Sequence, residues 1–200
     1  MMRFVLPTIL LLGACQQQPA DEPIGQPSAN EAAPVVAPPQ TPAKPVDRKV
    51  SRFTTGGIEK CRLVDKNEEE GGYFRHRCPG VGGYDYEVVE SDLRQNLVVI
   101  RPDGKRDDIA LSPVAGGGGF SVLGPTIEWR GDAGQPPRTM TVRFNVNEDP
   151  DPNVPDRSYL VVIRLATLAC PVAAVPPGPS QSDRARAVAD AATLPTCIGG

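Results

Sequence analysis

CRLVDKNEEEGGYFRHRC, residues Cys61–Cys78, decides how this chain folds. Two strand-like arms flank a polar, glycine-ended run, Asn67–Gly72, which has the composition of a hairpin turn. If pairing is symmetric about the point between Glu69 and Glu70, residues whose numbers sum to 139 face each other, as Cys61 and Cys78 do. A directly opposed pair without mutual hydrogen bonds has Cα atoms about 4.5 Å apart, which a disulfide can bridge. The register also sorts side chains by face, because successive strand residues point to opposite sides. Arg62, Val64, Lys66, Tyr73, Arg75 and Arg77 fall on one face, and Cys61, Leu63, Phe74, His76 and Cys78 on the other.

Two further cysteines, Cys170 and Cys197, complete an even set beyond Cys15. In an exported chain four thiols imply two disulfides, so Cys170–Cys197 follows once Cys61–Cys78 is formed. Around the hairpin the sequence reads as short strands. TMTVRFNV (139–146) alternates, with Met140, Val142, Phe144 and Val146 on one face and Thr139, Thr141, Arg143 and Asn145 on the other. NLVVIR and KRDDIAL, joined by PDG, predict a second hairpin, and YDYEVV predicts a strand beside the first one. TIEWRG precedes a proline- and glycine-rich turn, and YLVVIRL, apolar on both faces, reads as a central strand. Only the tail is helical in pattern: Ser180 or Ser182 as cap, and Ala185, Val188, Ala189 and Ala192 on one face. The expectation is a mainly β domain over 51–200, an antiparallel sandwich or open barrel with two disulfides and a short C-terminal helix.

Charge excludes one class of partner. From Ser51 onward seventeen Lys or Arg face twenty Asp or Glu, which does not suit nucleic acid. One histidine, His76, rules out a site needing several imidazoles within one copy, and no Gly-x-Ser-x-Gly nucleophile motif occurs. AGGGGF (115–120) lacks the lysine and spacing of a phosphate loop and reads as a flexible connection. DPDPN (149–153) offers alternating oxygens, but Val154 stands where a calcium loop needs glycine and Leu160 where it needs glutamate. Arg130-Gly131-Asp132 reads as the turn after IEW rather than an adhesion motif. The sequence therefore predicts no catalytic residues, no cofactor and no metal. A binding surface is expected on the hairpin, where Arg62, Lys66, Arg75 and Arg77 beside Tyr73 offer cations to an anionic partner. Asp85 and Glu87 would neutralise that face if YDYEVV pairs alongside, and Arg62 opposite Arg77 would repel.

The first fifty residues have a different composition. Arg3, the nine-residue stretch Phe4–Leu12 and the small residues after it form an export signal, too short to span a bilayer, which needs about twenty residues. Leu12-Gly13-Ala14-Cys15 resembles the lipobox of bacterial lipoproteins. The resemblance implies cleavage after residue 14 and lipidation of Cys15, and Gln16 implies outer-membrane sorting by the rule of many Gram-negative bacteria. Several acyl chains, at about 0.8 kcal/mol per buried methylene, would anchor the protein stably. Residues 15–50 hold the lipidated Cys and a Pro/Ala-rich tether with no aromatic side chain, expected to be disordered. Extended at roughly 3.1 Å per residue, it would reach about 100 Å.

The organisation 1–14, 15–50 and 51–200 reads as a lipoprotein of the cell envelope facing the periplasm. In layout alone it resembles the small β-barrel lysozyme-inhibitor lipoproteins, and the globular domain resembles no family to which an activity attaches. The expected function is a noncatalytic binding module for an envelope protein or peptidoglycan. The alternative is a structural or assembly subunit, with an exposed apolar patch around Tyr73, Tyr84 or Trp129.

Overall fold

The computed structural model describes residues 48–69, 71–149, 151 and 153–199, so the signal segment, Cys15 and the tether up to residue 47 lie outside the described residues. The strands are β1 (Lys49–Thr55), β2 (Arg62–Asn67), β3 (Tyr73–Pro79), β4 (Asp85–Ser91), β5 (Arg94–Ile100), β6 (Arg106–Ile109), β7 (Ser121–Asp132), β8 (Thr139–Val146), β9 (Arg157–Arg164) and β10 (Cys170–Val175). They form one sheet in the order β10-β9-β8-β7-β5-β4-β3-β2, with β1 added to β7 and β6 to β5. A single parallel bridge, Arg94 to Ser121, joins β5 to β7. Elsewhere neighbours are antiparallel, so the sheet consists of two meanders, β2–β6 and β7–β10, joined at one point. The sheet is mixed and does not close.

The two meanders bury their inner faces against each other. Tyr86, Val88, Leu97, Val99 and Ile109 from the first share a core with Ile127, Trp129, Met140, Val142, Phe144 and Ile163 from the second. At one end of this core Trp129 is fully buried, its ring 6.3 Å from Tyr84 and 6.2 Å from Tyr86. Its indole N–H donates to Thr54 Oγ1 at 2.9 Å, and the Tyr86 hydroxyl donates to the Thr55 carbonyl, which lock β1 over the aromatic cluster. Gly80 is required here: a Cβ would lie 2.5 Å from the Tyr84 carbonyl oxygen and 2.9 Å from the Trp129 ring. An exposed patch at Trp129 is thereby overturned, because the residue is fully buried and its indole has a polar partner on β1.

Both disulfides form as the sequence predicts, Cys61–Cys78 with Cα atoms 4.4 Å apart and Cys170–Cys197 with 5.6 Å. The second joins the start of β10 to the chain after helix α1 (Gln181–Ala189). Ala185 and Ala189 of α1 pack on Leu160, Val162, Val172 and Val175, which explains why β9 is apolar on both faces. Arg130 Nε and Nη2 reach Asp190 at 2.6 and 2.7 Å, and Arg186 Nε reaches Glu128 at 2.9 Å. Glu128 is the cross-strand neighbour of Thr141, so the expected solvent face of β8 is covered in part, and Thr139 and Thr141 are buried. Ser180 adopts a left-handed conformation and makes no side-chain cap; Gln181 Nε2 instead donates to the Ser158 and Val175 carbonyls at 2.7 and 2.9 Å.

Two boundaries move. Strand β1 begins at Lys49, inside the stretch assigned to the tether, because Lys49 pairs with Asp132 in both backbone register and charge. Arg130, Gly131 and Asp132 belong to β7 rather than to a turn, which starts at Ala133.

Candidate binding surface

The hairpin register holds only near the disulfide. Arg62 faces Arg77 and Leu63 faces His76, but a bulge between Leu63 and Asp65 then sets Asp65 opposite Arg75, Lys66 opposite Phe74 and Asn67 opposite Tyr73. One extra residue in a strand exchanges the faces of everything beyond it. Lys66 therefore leaves the basic face and joins Leu63, Phe74 and His76 on the other side.

The outer face of β2–β4 keeps Arg62, Tyr73, Arg75 and Arg77, and neighbouring strands supply its counter-charges. Arg77 Nε and Nη2 donate to Asp85 at 3.1 and 2.7 Å. Arg75 lies 3.4 Å from Asp65 and 3.6 Å from Glu87, while Arg106 donates twice to Glu87 at 2.8 and 2.5 Å. Glu87 is 2% exposed beneath these guanidinium groups. Burial pushes its pKa up, but the Arg106 hydrogen bonds and the charges of Arg106, Arg75 and Arg77 outweigh that effect and hold it below the ordinary carboxylate range. Arg62 has no carboxylate partner among the described residues. Arg75, Arg77 and Arg106 are thus occupied by Asp65, Asp85 and Glu87, and this part of the face forms a cross-strand charge ladder.

The inner face has no such balance. Along β3, β4 and β5 the core residues Cys78, Tyr86, Val88, Val99 and Leu97 give way toward the hairpin tips to His76, Phe74, Glu90 and Gln95. The side chain of Gln95 spans the gap between the meanders, donating to Glu90 at 2.8 Å and accepting the Leu123 N–H at 2.9 Å. Beside it Arg94 bridges Ser121 and the Leu93 carbonyl accepts the Ser121 N–H at 3.1 Å, and surface grooves around this junction form a mouth. A groove of about 430 Å³ is lined by Ile58, Leu63, Lys66, Glu68, Phe74, His76 and Glu90. A second, of about 210 Å³, shares Ile58 and adds Glu59, Gln95, Val122 and Pro125. A third, of about 260 Å³, shares Val122 and adds Leu93, Phe120, Asn147 and Asp156. Leu63, Leu93, Phe120 and Val122 are 44%, 62%, 51% and 45% exposed, so apolar side chains line the whole track.

Leu93 is the most telling of these. It closes the two-residue turn between β4 and β5, and Asp92 and Leu93 both have positive φ, 50° and 58°. Turns of this kind favour Asn-Gly, because a side chain in the left-handed region costs roughly 1–2 kcal/mol. A large apolar residue there gains no core packing in return. Sequence reasoning missed this track; a lone leucine in the polar context SDLRQN, and Phe120 ending a glycine run, were its only local signals.

The remaining motifs are accounted for by local structure. AGGGGF is a turn-rich connection with Gly116, Gly117 and Gly118 at positive φ, and it places Phe120 at the mouth. In DPDPN, Asp149 accepts the Asp151 N–H and Asp151 accepts the Asn153 N–H, both at 2.9 Å, as turns closed by Asp side chains do. Compared with known proteins, the chain matches no family model, no curated protein and no solved structure.

Proposed function

We propose that the chain is a lipid-anchored envelope lipoprotein whose β domain is a noncatalytic binding module for a protein or cell-wall component. Lipidation at Cys15 and display from the outer membrane toward the periplasm belong to this reading and rest on the Leu12–Cys15 motif. The observation that carries the binding role is the mouth, where Leu93 is held exposed in a left-handed turn beside Phe120 and Val122. Strain retained at an exposed position is a recurrent property of ligand-contacting residues. A permanent structural subunit, the alternative, would favour a more continuous apolar face than one interrupted by Glu59, Glu90 and Asp156.

The test is capture from solubilised envelopes and wall fragments on the immobilised full chain, in parallel with a Phe120→Ser, Val122→Ser variant. A stoichiometric component retained by the parent and lost by the variant is the expected result. Identical retention by both, or none by either, would remove the mouth as the binding site. Loss on charge reversal of Arg62, Arg75 and Arg77 alone would instead move the site to the outer face of the hairpin.

A further inference from the structure

We infer that the mouth takes a cationic, amphipathic stretch of polypeptide, an inference that rests on the binding role proposed above and names its partner. Charge gives the sign. The side chains lining the three grooves include Glu59, Glu68, Glu90 and Asp156 against one cation, Lys66, and that ammonium already lies 2.7 Å from Glu68. Arg94, at the margin, is tied to Asp92 and to the Gly118 carbonyl and stacks over Phe120 at 5.2 Å, so it holds the rim together. An anionic glycan or lipid phosphate would meet like charge along this track, whereas basic side chains would find acceptors.

Shape and chemistry give the polypeptide. The three depressions are open, and neighbouring ones share a lining residue, Ile58 or Val122, a form suited to successive side chains from one chain rather than to enclosing a single small ligand. Between the carboxylates, Leu63, Phe74, Val122, Leu93 and Phe120 offer apolar contacts in turn. Apolar residues of the partner fill the grooves and its lysines or arginines lie over the rim. Leu93 acts as the anchor, presented by its turn before the partner arrives, which lowers the ordering cost of binding.

The experiment titrates the full chain in mild detergent with a fluorescent twelve-residue peptide of lysine and leucine, and reads anisotropy. Two controls replace every lysine by glutamate or every leucine by serine. The lysine–leucine peptide is expected to bind at least tenfold more tightly than either control. Its affinity should fall several-fold between 50 and 300 mM salt, as contacts at an exposed rim are screened. Leu93→Gly, which relieves the turn and so keeps the fold, and the pair Glu59→Gln, Asp156→Asn should each weaken it by about fivefold or more. Equal binding of the glutamate peptide would overturn the inference while leaving the mouth a binding site. Equal binding of the serine peptide, unaffected by Leu93→Gly, would reduce the effect to general attraction and overturn it too. If no peptide binds, the inference fails, and the wider binding role then stands or falls with envelope capture.

Discussion

The two ends of the domain treat apolar side chains in opposite ways. At one end Trp129 is closed in by Tyr84, Tyr86 and Thr54, and glycine occupies position 80 because a Cβ would strike the ring. At the other, leucine occupies position 93, where glycine would relieve the backbone, and its side chain is left in solvent. The first end has a residue chosen for packing and the second a residue that opposes local stability. The contrast separates the part of the domain that maintains the fold from the part available to a partner.

Substitutions at the packed end should be the most damaging. Trp129→Ala removes the centre of the aromatic cluster and is expected to cost about 3–5 kcal/mol, measured by urea unfolding. A cost below about 1 kcal/mol would mean that this end is not the keystone the packing implies. Replacing Cys61 and Cys78 together by serine should cost about 3 kcal/mol on a loop-entropy estimate and loosen the hairpin that lines the mouth. Hydrogen exchange in β2 and β3 would reveal that loosening, and unchanged protection would sink the idea.

Glu87→Gln tests the ladder that lies on neither end. The Glu87 pKa is depressed in the folded protein, so its stabilising effect is complete above the unfolded value, about 4.3, and is lost as pH falls through the folded value. The variant should be less stable by about 2 kcal/mol at neutral pH, and the two stability curves should converge as the solution is acidified below about pH 4. Parallel curves throughout would show that the carboxylate is not held by its arginines. Smallest in size is Leu93→Gly, expected to raise stability by roughly 0.5–1 kcal/mol while peptide affinity falls. Destabilisation at this position would erase the contrast between the ends.

Features set by neighbours in the chain were legible in the sequence. The first hairpin, its disulfide and the alternation of 139–146 were readable because turn composition and period 2 are local signals. The bulge after Leu63 was not, since nothing in RLVDK distinguishes a regular strand from one with an extra residue, and this moved Lys66 to the other face. The burial of Trp129 is not legible either, because an indole suits a surface patch or a core, and its partner Thr54 lies 75 residues away. The mouth depends on where the two meanders meet, at Arg94 and Ser121, a junction that no window of sequence contains.

Strand β1 has a consequence for the time course of folding. β2–β6 and β7–β10 are chains of neighbouring hairpins apart from the one bridge, and such short loops close rapidly. Strand β1 must instead find partners up to 83 residues further along, so the loop it closes is the longest among the strand pairings. The first strand of the domain to be synthesised is thus expected to dock last, and until it does the Tyr86 hydroxyl and the Trp129 indole lack the acceptors that β1 provides. Pulse-labelled exchange during refolding should accordingly find the amides of β7 and β8 protected before those of β1.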